Sequence, residues 1–247
     1  MLNSVIHGKK TDKPNLLIAH GLFGSARNWG VIAKRLSIDR QVIAVDMRNH
    51  GASPWFDTHT YLDMADDLAG VIDGPVDLLG HSMGGKAAMI LALQYPHKIN
   101  KLVIADIAPV GYSHSQMGPI DAMRRVKLSV VENRADAKAQ LGELEAGVDD
   151  FLLQSLDIKK RAWRLNLDIL ASEMSKIIGF PDIKGMFEGE VLFLSGANSD
   201  YVKPEYRINI KRLFPAAKFA KIPGAGHWLH AEKPREFEAA VSAFLTM

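Results

Sequence analysis

Residues 76–95 read VDLLGHSMGGKAAMILALQY, and the change of character at their centre decides the fold. Val76 to Leu79 is a short apolar run of strand length. Met83 to Tyr95 has helical length, and Ala87 to Leu93 leave it almost no polar side. A helix of that kind is buried in the body of a domain. Between the halves lies Gly80-His81-Ser82-Met83-Gly84, the pattern G-x-S-x-G. The pattern alone is common by chance, but a strand before it and a buried helix after it give it meaning. It reads as a sharp strand-to-helix turn that leaves no room for side chains at Gly80 and Gly84 and pushes the Ser82 hydroxyl out at the carboxyl edge of a sheet. The first N–H groups of the helix, with the positive end of its dipole, face the same point.

Outward from this turn the alternation repeats. Leu16 to Ala19, Val42 to Val45, Leu102 to Ala105, Val191 to Leu194 and a weaker run at Phe219 to Ile222 are continuous apolar segments. Strands buried on both faces of a parallel sheet read this way. Ala26 to Leu36, Tyr61 to Ile72, Pro204 to Phe214 and Pro234 to Leu245 have helical length and lie between or after them. The expected fold is α/β, a mostly parallel central sheet with helices on both faces. The alternation breaks after Val110. Ile120, Met123, Val126 and Val130 recur at helical spacing, Leu141, Leu144 and Val148 less cleanly, and no strand-like run interrupts them. The expected organisation is a core from residues 1–110 and 189–247, with a helical insertion at 111–188. Placed at the carboxyl edge of the sheet, the insertion either roofs a pocket or forms a plain second helical layer.

Composition narrows the function classes. The chain of 247 residues has no cysteine, which excludes disulfides, thiol nucleophiles and cysteine metal sites. Net charge is +2 with only short basic clusters, so no nucleic-acid partner is expected. The first residues, MLNSVIHGKKTDK, lack an apolar export signal, and no run is long enough to span a membrane. The expectation is a soluble cytoplasmic protein with no membrane partner. Oligomeric state is left open.

Two further loops belong with Ser82. Ile18 to Ser25, IAHGLFGS, places His20-Gly21 and a tight loop directly after a strand. Its Leu22 N–H is the expected partner of the Met83 N–H in an oxyanion hole, with the Phe23 N–H a near alternative. His20 is expected to pin the loop. Ile222 to Trp228, IPGAGHW, brings His227 on a glycine-rich loop that can reach over the sheet edge as a general base. His81 is expected to turn away from the hydroxyl, and His230 to be surface at the start of a helix.

With these residues in place the chain resembles the α/β-hydrolase superfamily, and more narrowly the small YbfF-type esterases. The narrower resemblance rests on HGLFGSARNWG (20–30), VDMRNHGASP (45–54), GHSMGGKAAM (80–89), ADIAPV (105–110) and GAGHWLHAEKP (224–234). It implies hydrolysis of carboxylic esters through Ser, His and Asp, with no metal or organic cofactor. For Asp46-x-Arg48-x-x-Gly51-x-Ser53 a loop-stabilising role is expected.

The acid has two candidates. The superfamily usually keeps it in a Gly-x-x-Asp loop after the strand that follows the insertion. Here Gly196-Ala197-Asn198 leads to Ser199, and Asp200 comes one residue late. In the YbfF-type esterases the acid ends the preceding strand, which is Asp106 here. A carboxylate at the end of a buried strand needs a partner, and a histidine N–H would be one. Asp106 is the preferred acid and Asp200 the alternative. The expected reaction is hydrolysis of short- to medium-chain carboxylic esters, a small-molecule substrate class, through an acyl-enzyme on Ser82. Phe23, Trp228 and Met123 are expected to shape an apolar pocket. A thioesterase, lactonase or cofactor-free perhydrolase would use the same triad. The alternative from another class is an inactive binding module.

Overall fold

The computed structural model describes residues 1–246. Its centre is a seven-stranded sheet in the order β1-β3-β2-β4-β5-β8-β9. The expected runs become β2 (Leu16–Ala19), β3 (Val42–Val45), β4 (Val76–His81), β5 (Ile99–Ala105), β8 (Glu190–Gly196) and β9 (Ala217–Ile222), all parallel. β2 and β4 are buried throughout, which is why they read as continuous apolar runs. One strand has no such signal. β1 (Ser4–His7) is mostly exposed and pairs antiparallel with β3 at the sheet edge.

Helices cover both faces, as the alternation predicts. Trp29, Ile32 of α1 (Gly30–Leu36) and Phe237, Val241 and Phe244 of α11 (Pro234–Thr246) pack against Leu16, Ile18, Leu79 and Val103. On the other face α2 (Tyr61–Ala69), α3 (Met83–Gln94) and α9 (Arg207–Leu213) meet Leu17, Leu78, Leu102 and Phe193. Ten residues of α3 are buried, so its position relative to the sheet is tightly fixed.

Between β5 and β8 the chain leaves the sheet and forms α4 (Met117–Arg125), α5 (Arg134–Leu141), α6 (Val148–Leu153), α7 (Leu167–Ser172) and α8 (Met174–Ile178). Ile120, Met123 and Val126 face a separate apolar core with Leu141, Leu152, Trp163 and Leu170. Three details correct the sequence reading. Leu141 and Val148 lie on different helices, because Gly142 at φ 77° ends α5. The segment also contains a small hairpin, β6 (Leu156–Asp157) with β7 (Ala162–Trp163), too short to leave a pattern. Val130 is exposed rather than core. Among the described residues no helix is long and apolar enough to cross a membrane.

Candidate active site

Strand register explains how residues far apart in the chain meet. His81 of β4 pairs with Ala105 of β5, and Ala105 pairs with Leu194 of β8. β4 and β5 therefore end level while β8 runs two residues further, so Ser82 and Asp106 lie side by side at the carboxyl edge with the end of β8 and its loop next to them. Ser82 N donates to Ala105 O at 3.0 Å, and Asp106 N to Leu194 O at 2.9 Å. Both residues leave their strands with φ 52°, a left-handed turn that non-glycine residues rarely adopt. For Ser82 the turn demands clearance: a Cβ on Gly84 would sit 2.4 Å from the Ala19 carbonyl oxygen.

His227 enters from the loop between β9 and α10 (Leu229–Glu232). Its Nε2 lies 3.1 Å from Ser82 Oγ and its Nδ1 lies 2.7 Å from Asp106 Oδ2. A carboxylate only accepts, so Nδ1 carries the proton and Nε2 faces the hydroxyl as an acceptor. Asp106 is completely buried and is held twice more, by the Gly196 N–H at 3.1 Å and by the Ser199 hydroxyl. Asp200 is exposed at the rim of the cavity, and none of its bonds among the described residues reaches His227.

The Leu22 and Met83 N–H groups have no protein acceptor among the described residues. The Phe23 N–H is committed to His50 Nε2 at 3.2 Å, and its carbonyl accepts from Ser155 Oγ at 3.0 Å. The alternative donor is thus occupied, and the loop is tied to the insertion as well as to the core. His20 fastens it from below, donating from Nδ1 to Gly21 O at 2.8 Å and accepting at Nε2 from Met47 N at 2.9 Å. Ser82 opens onto a cavity of about 950 Å³, with Leu22, Phe23 and Trp228 among its walls. Met123 does not reach it. It is fully buried in the core of the insertion, where its carbonyl accepts from the Trp163 indole.

Comparison with known proteins follows this geometry. Residues 16–240 match the model of the alpha/beta hydrolase family. The chain belongs to that family. Within it, the chain is 42 % identical to the mouse sn-1-specific diacylglycerol lipase ABHD11, over 94 % of this chain and 81 % of that protein. It is 40 % identical to the esterase YbfF of Escherichia coli K12, over 93 % of this chain and 92 % of that one. A solved marine microorganism esterase superposes with a TM-score of 0.93 at 36 % identity, covering 98 % of both chains. These relatives agree with the resemblance drawn from the motifs.

Several residues around this hydrolase site carry no sequence signature. Ser199, which stands where the superfamily usually keeps its acid, donates to the Asp106 carboxylate instead. Tyr201 stacks on the His227 ring at 4.0 Å and 21°. Its N–H donates to Ser199 Oγ and its hydroxyl meets His114. His81 turns away from Ser82, as expected, and its Nε2 donates to the His227 carbonyl at 2.9 Å.

His230 corrects the sequence reading. It is not surface but buried, stacked on Trp29 at 4.2 Å and 9°, with Nδ1 lacking a partner among the described residues. Burial brings its pKa down to about 3. His20, His50, His59 and His81 are lowered for the same reason, His59 to about 3. The loop residues behave as expected. Asp46 accepts from Ala26 N and Ala52 N, Arg48 forks onto Asp67, and Gly51 turns at φ 60° where a Cβ would strike the Asp46 carboxylate.

Proposed function

We propose that this protein is a serine carboxylesterase acting on short- to medium-chain carboxylic esters through an acyl-enzyme. The observation that carries this reading is the line Ser82 Oγ to His227 Nε2 to Asp106 Oδ2, at 3.1 and 2.7 Å, opening onto a large cavity. Ser82 attacks the ester carbonyl as His227 Nε2 takes its proton. The Leu22 and Met83 N–H groups stabilise the oxyanion. His227 then gives the proton to the leaving alcohol, and water repeats the cycle on the acyl-enzyme. Asp106 fixes the imidazole tautomer and stabilises the imidazolium. Ser199 and the Gly196 N–H hold that carboxylate in line. Leu22, Phe23 and Trp228 shape the substrate pocket.

Residues 111–188 act as a cap over the site, a reading supported by their separate apolar core and their bond to the Phe23 carbonyl. A cytoplasmic location belongs to this proposal and rests on the cysteine-free composition. A thioesterase, lactonase or perhydrolase would run on the same residues, and an inactive module would not. A fluorophosphonate probe is expected to label wild-type protein on Ser82 and to leave Ser82→Ala unlabelled. An unlabelled wild type would point to the binding module. A panel of p-nitrophenyl esters, thioesters, lactones and diacylglycerol ranks the substrate classes.

The Ser199 contact gives a smaller effect. Removing one hydrogen bond to a charged group costs about 1.5–3 kcal/mol. Ser199→Ala is therefore expected to lower kcat at least roughly ten-fold with little change in KM. Unchanged kcat would remove Ser199 from the line.

A further inference from the structure

Donors from the core converge where the inserted segment returns to the sheet. The helix α8 ends at Ile178, and a helix end leaves its last carbonyls without partners. The Tyr61 hydroxyl donates to Ile177 O at 2.5 Å. Lys86 Nζ donates to Ile178 O at 2.9 Å and Gly179 O at 2.5 Å, and Tyr112 N also donates to Ile178 O at 3.0 Å. Tyr61 lies on α2 and Lys86 on α3, one turn beyond Ser82.

Lys86 is an unusual residue to bury. It is 1 % exposed, and among the described residues no carboxylate lies within ion-pair distance. Its ammonium faces the rings of Tyr112 at 4.8 Å and Tyr61 at 5.6 Å. Burying a cation without a counter-charge is costly, and the turn at Ser82 does not require it. What the charge does hold is the helix end, where carbonyl dipoles favour a cation. Tyr61, Lys86, Tyr112, Ile177 and Ile178 all line the cavity that contains Ser82.

We propose that Lys86 is a positioning residue for specificity: by holding the Ile178 and Gly179 carbonyls it fixes the wall that Ile177 and Ile178 form at the acyl end of the cavity, at a set distance from Ser82. The inference rests on the serine-esterase reading above. His227 protonates the alcohol, so the alcohol leaves on the side of His227 and Trp228. The wall built on α2, α3 and α8 is left to the acyl chain. A wall held rigidly by its helix end discriminates between chain lengths, and a slack one accommodates them.

The charge state of the clamp adds a second handle. Burial brings Lys86 down to about 7, so its ammonium loses the clamp's charge as pH rises through neutrality. The titratable groups beside it are the Tyr61 and Tyr112 phenols, both pushed up by burial, and His114, lowered chiefly by burial.

The test compares kcat/KM for p-nitrophenyl acetate, butyrate and octanoate. Lys86→Met is expected to narrow the spread between the best and worst of the three by roughly ten-fold, chiefly through unequal changes in KM. Lys86→Arg keeps the spread. In the wild type the spread narrows from about pH 6 to about pH 8.5, and in Lys86→Arg it does not. Taking a ratio cancels the titration of the reacting groups. Tyr61→Phe, which removes one of the other ties to the same helix end, is expected to narrow the spread more weakly. An unchanged spread in Lys86→Met, or an equal fall of kcat on all three esters, overturns the inference. If Lys86→Met does not fold, a pH-independent spread in the wild type overturns it. Failure of the esterase reading looks different: the wild type would turn over none of the three.

Discussion

Asp106→Asn is expected to lower kcat on any accepted ester by roughly ten-thousand-fold, with KM little changed. An amide in place of the carboxylate presents an N–H or a weaker acceptor to His227 Nδ1. The imidazole then loses the tautomer that leaves Nε2 free to accept the Ser82 proton, and the imidazolium formed during attack loses its counter-charge. The site magnifies both losses. Asp106 is completely buried, its Oδ2 lies 2.7 Å from Nδ1, and the Ser199 hydroxyl and Gly196 N–H already aim donors at it. Asp200→Asn is the matched control. That side chain is exposed at the cavity rim and makes no contact with His227, so the expected change is within about two-fold. The pair is read by steady-state kinetics on one p-nitrophenyl ester, with circular dichroism to show that both variants are folded. Near-normal turnover in Asp106→Asn, together with collapse in Asp200→Asn, would return the acid to the usual loop of the superfamily.

The two candidates show where sequence reading reaches its limit. The central strands were legible because burial on both faces leaves an unbroken apolar run, and Gly80 and Gly84 were legible because the turn excludes a Cβ. β1 was not, since an exposed edge strand of four residues carries no burial pattern. Met123 shows a subtler limit. Helical spacing marks a residue as facing a core, but not which core, and this one faces the interior of the insertion. Ser199 and Tyr201 lie beyond any local signal, because each matters through a partner brought alongside only by strand register. His230 was misread for the same reason. Nothing near it in the chain announces that Trp29 will stack on it.

The buried histidines predict that mild acid destabilises this protein. His59 and His230 are neutral in the fold, with pKa values brought to about 3 by burial against an ordinary value of 6.5. Above pH 6.5 both folded and unfolded chains hold them neutral, and the lowered values have no effect on stability. Below it the unfolded chain takes up protons that the folded chain refuses, so stability falls until the folded pKa is reached. At about pH 5 each of the two costs about 2 kcal/mol, or about 4 kcal/mol together. His20, His50 and His81 are lowered by burial and add in the same direction. Against a typical stability of about 5–15 kcal/mol this is a large share. Carboxylates cannot account for a loss in this window. Asp39 and Asp63 are held below their ordinary value of 3.8, so their contribution disappears only at lower pH. The expected result is a urea midpoint that falls steeply between about pH 6.5 and about pH 5, followed by far-UV circular dichroism. His230→Phe separates cause from coincidence. It keeps the stack on Trp29, removes the partnerless Nδ1, and removes one titrating group. It should leave the midpoint at about pH 7.5 no lower than wild type and recover about 2 kcal/mol at about pH 5. A wild-type midpoint that stays flat across this range would mean that the buried histidines accept protons without unfolding the chain.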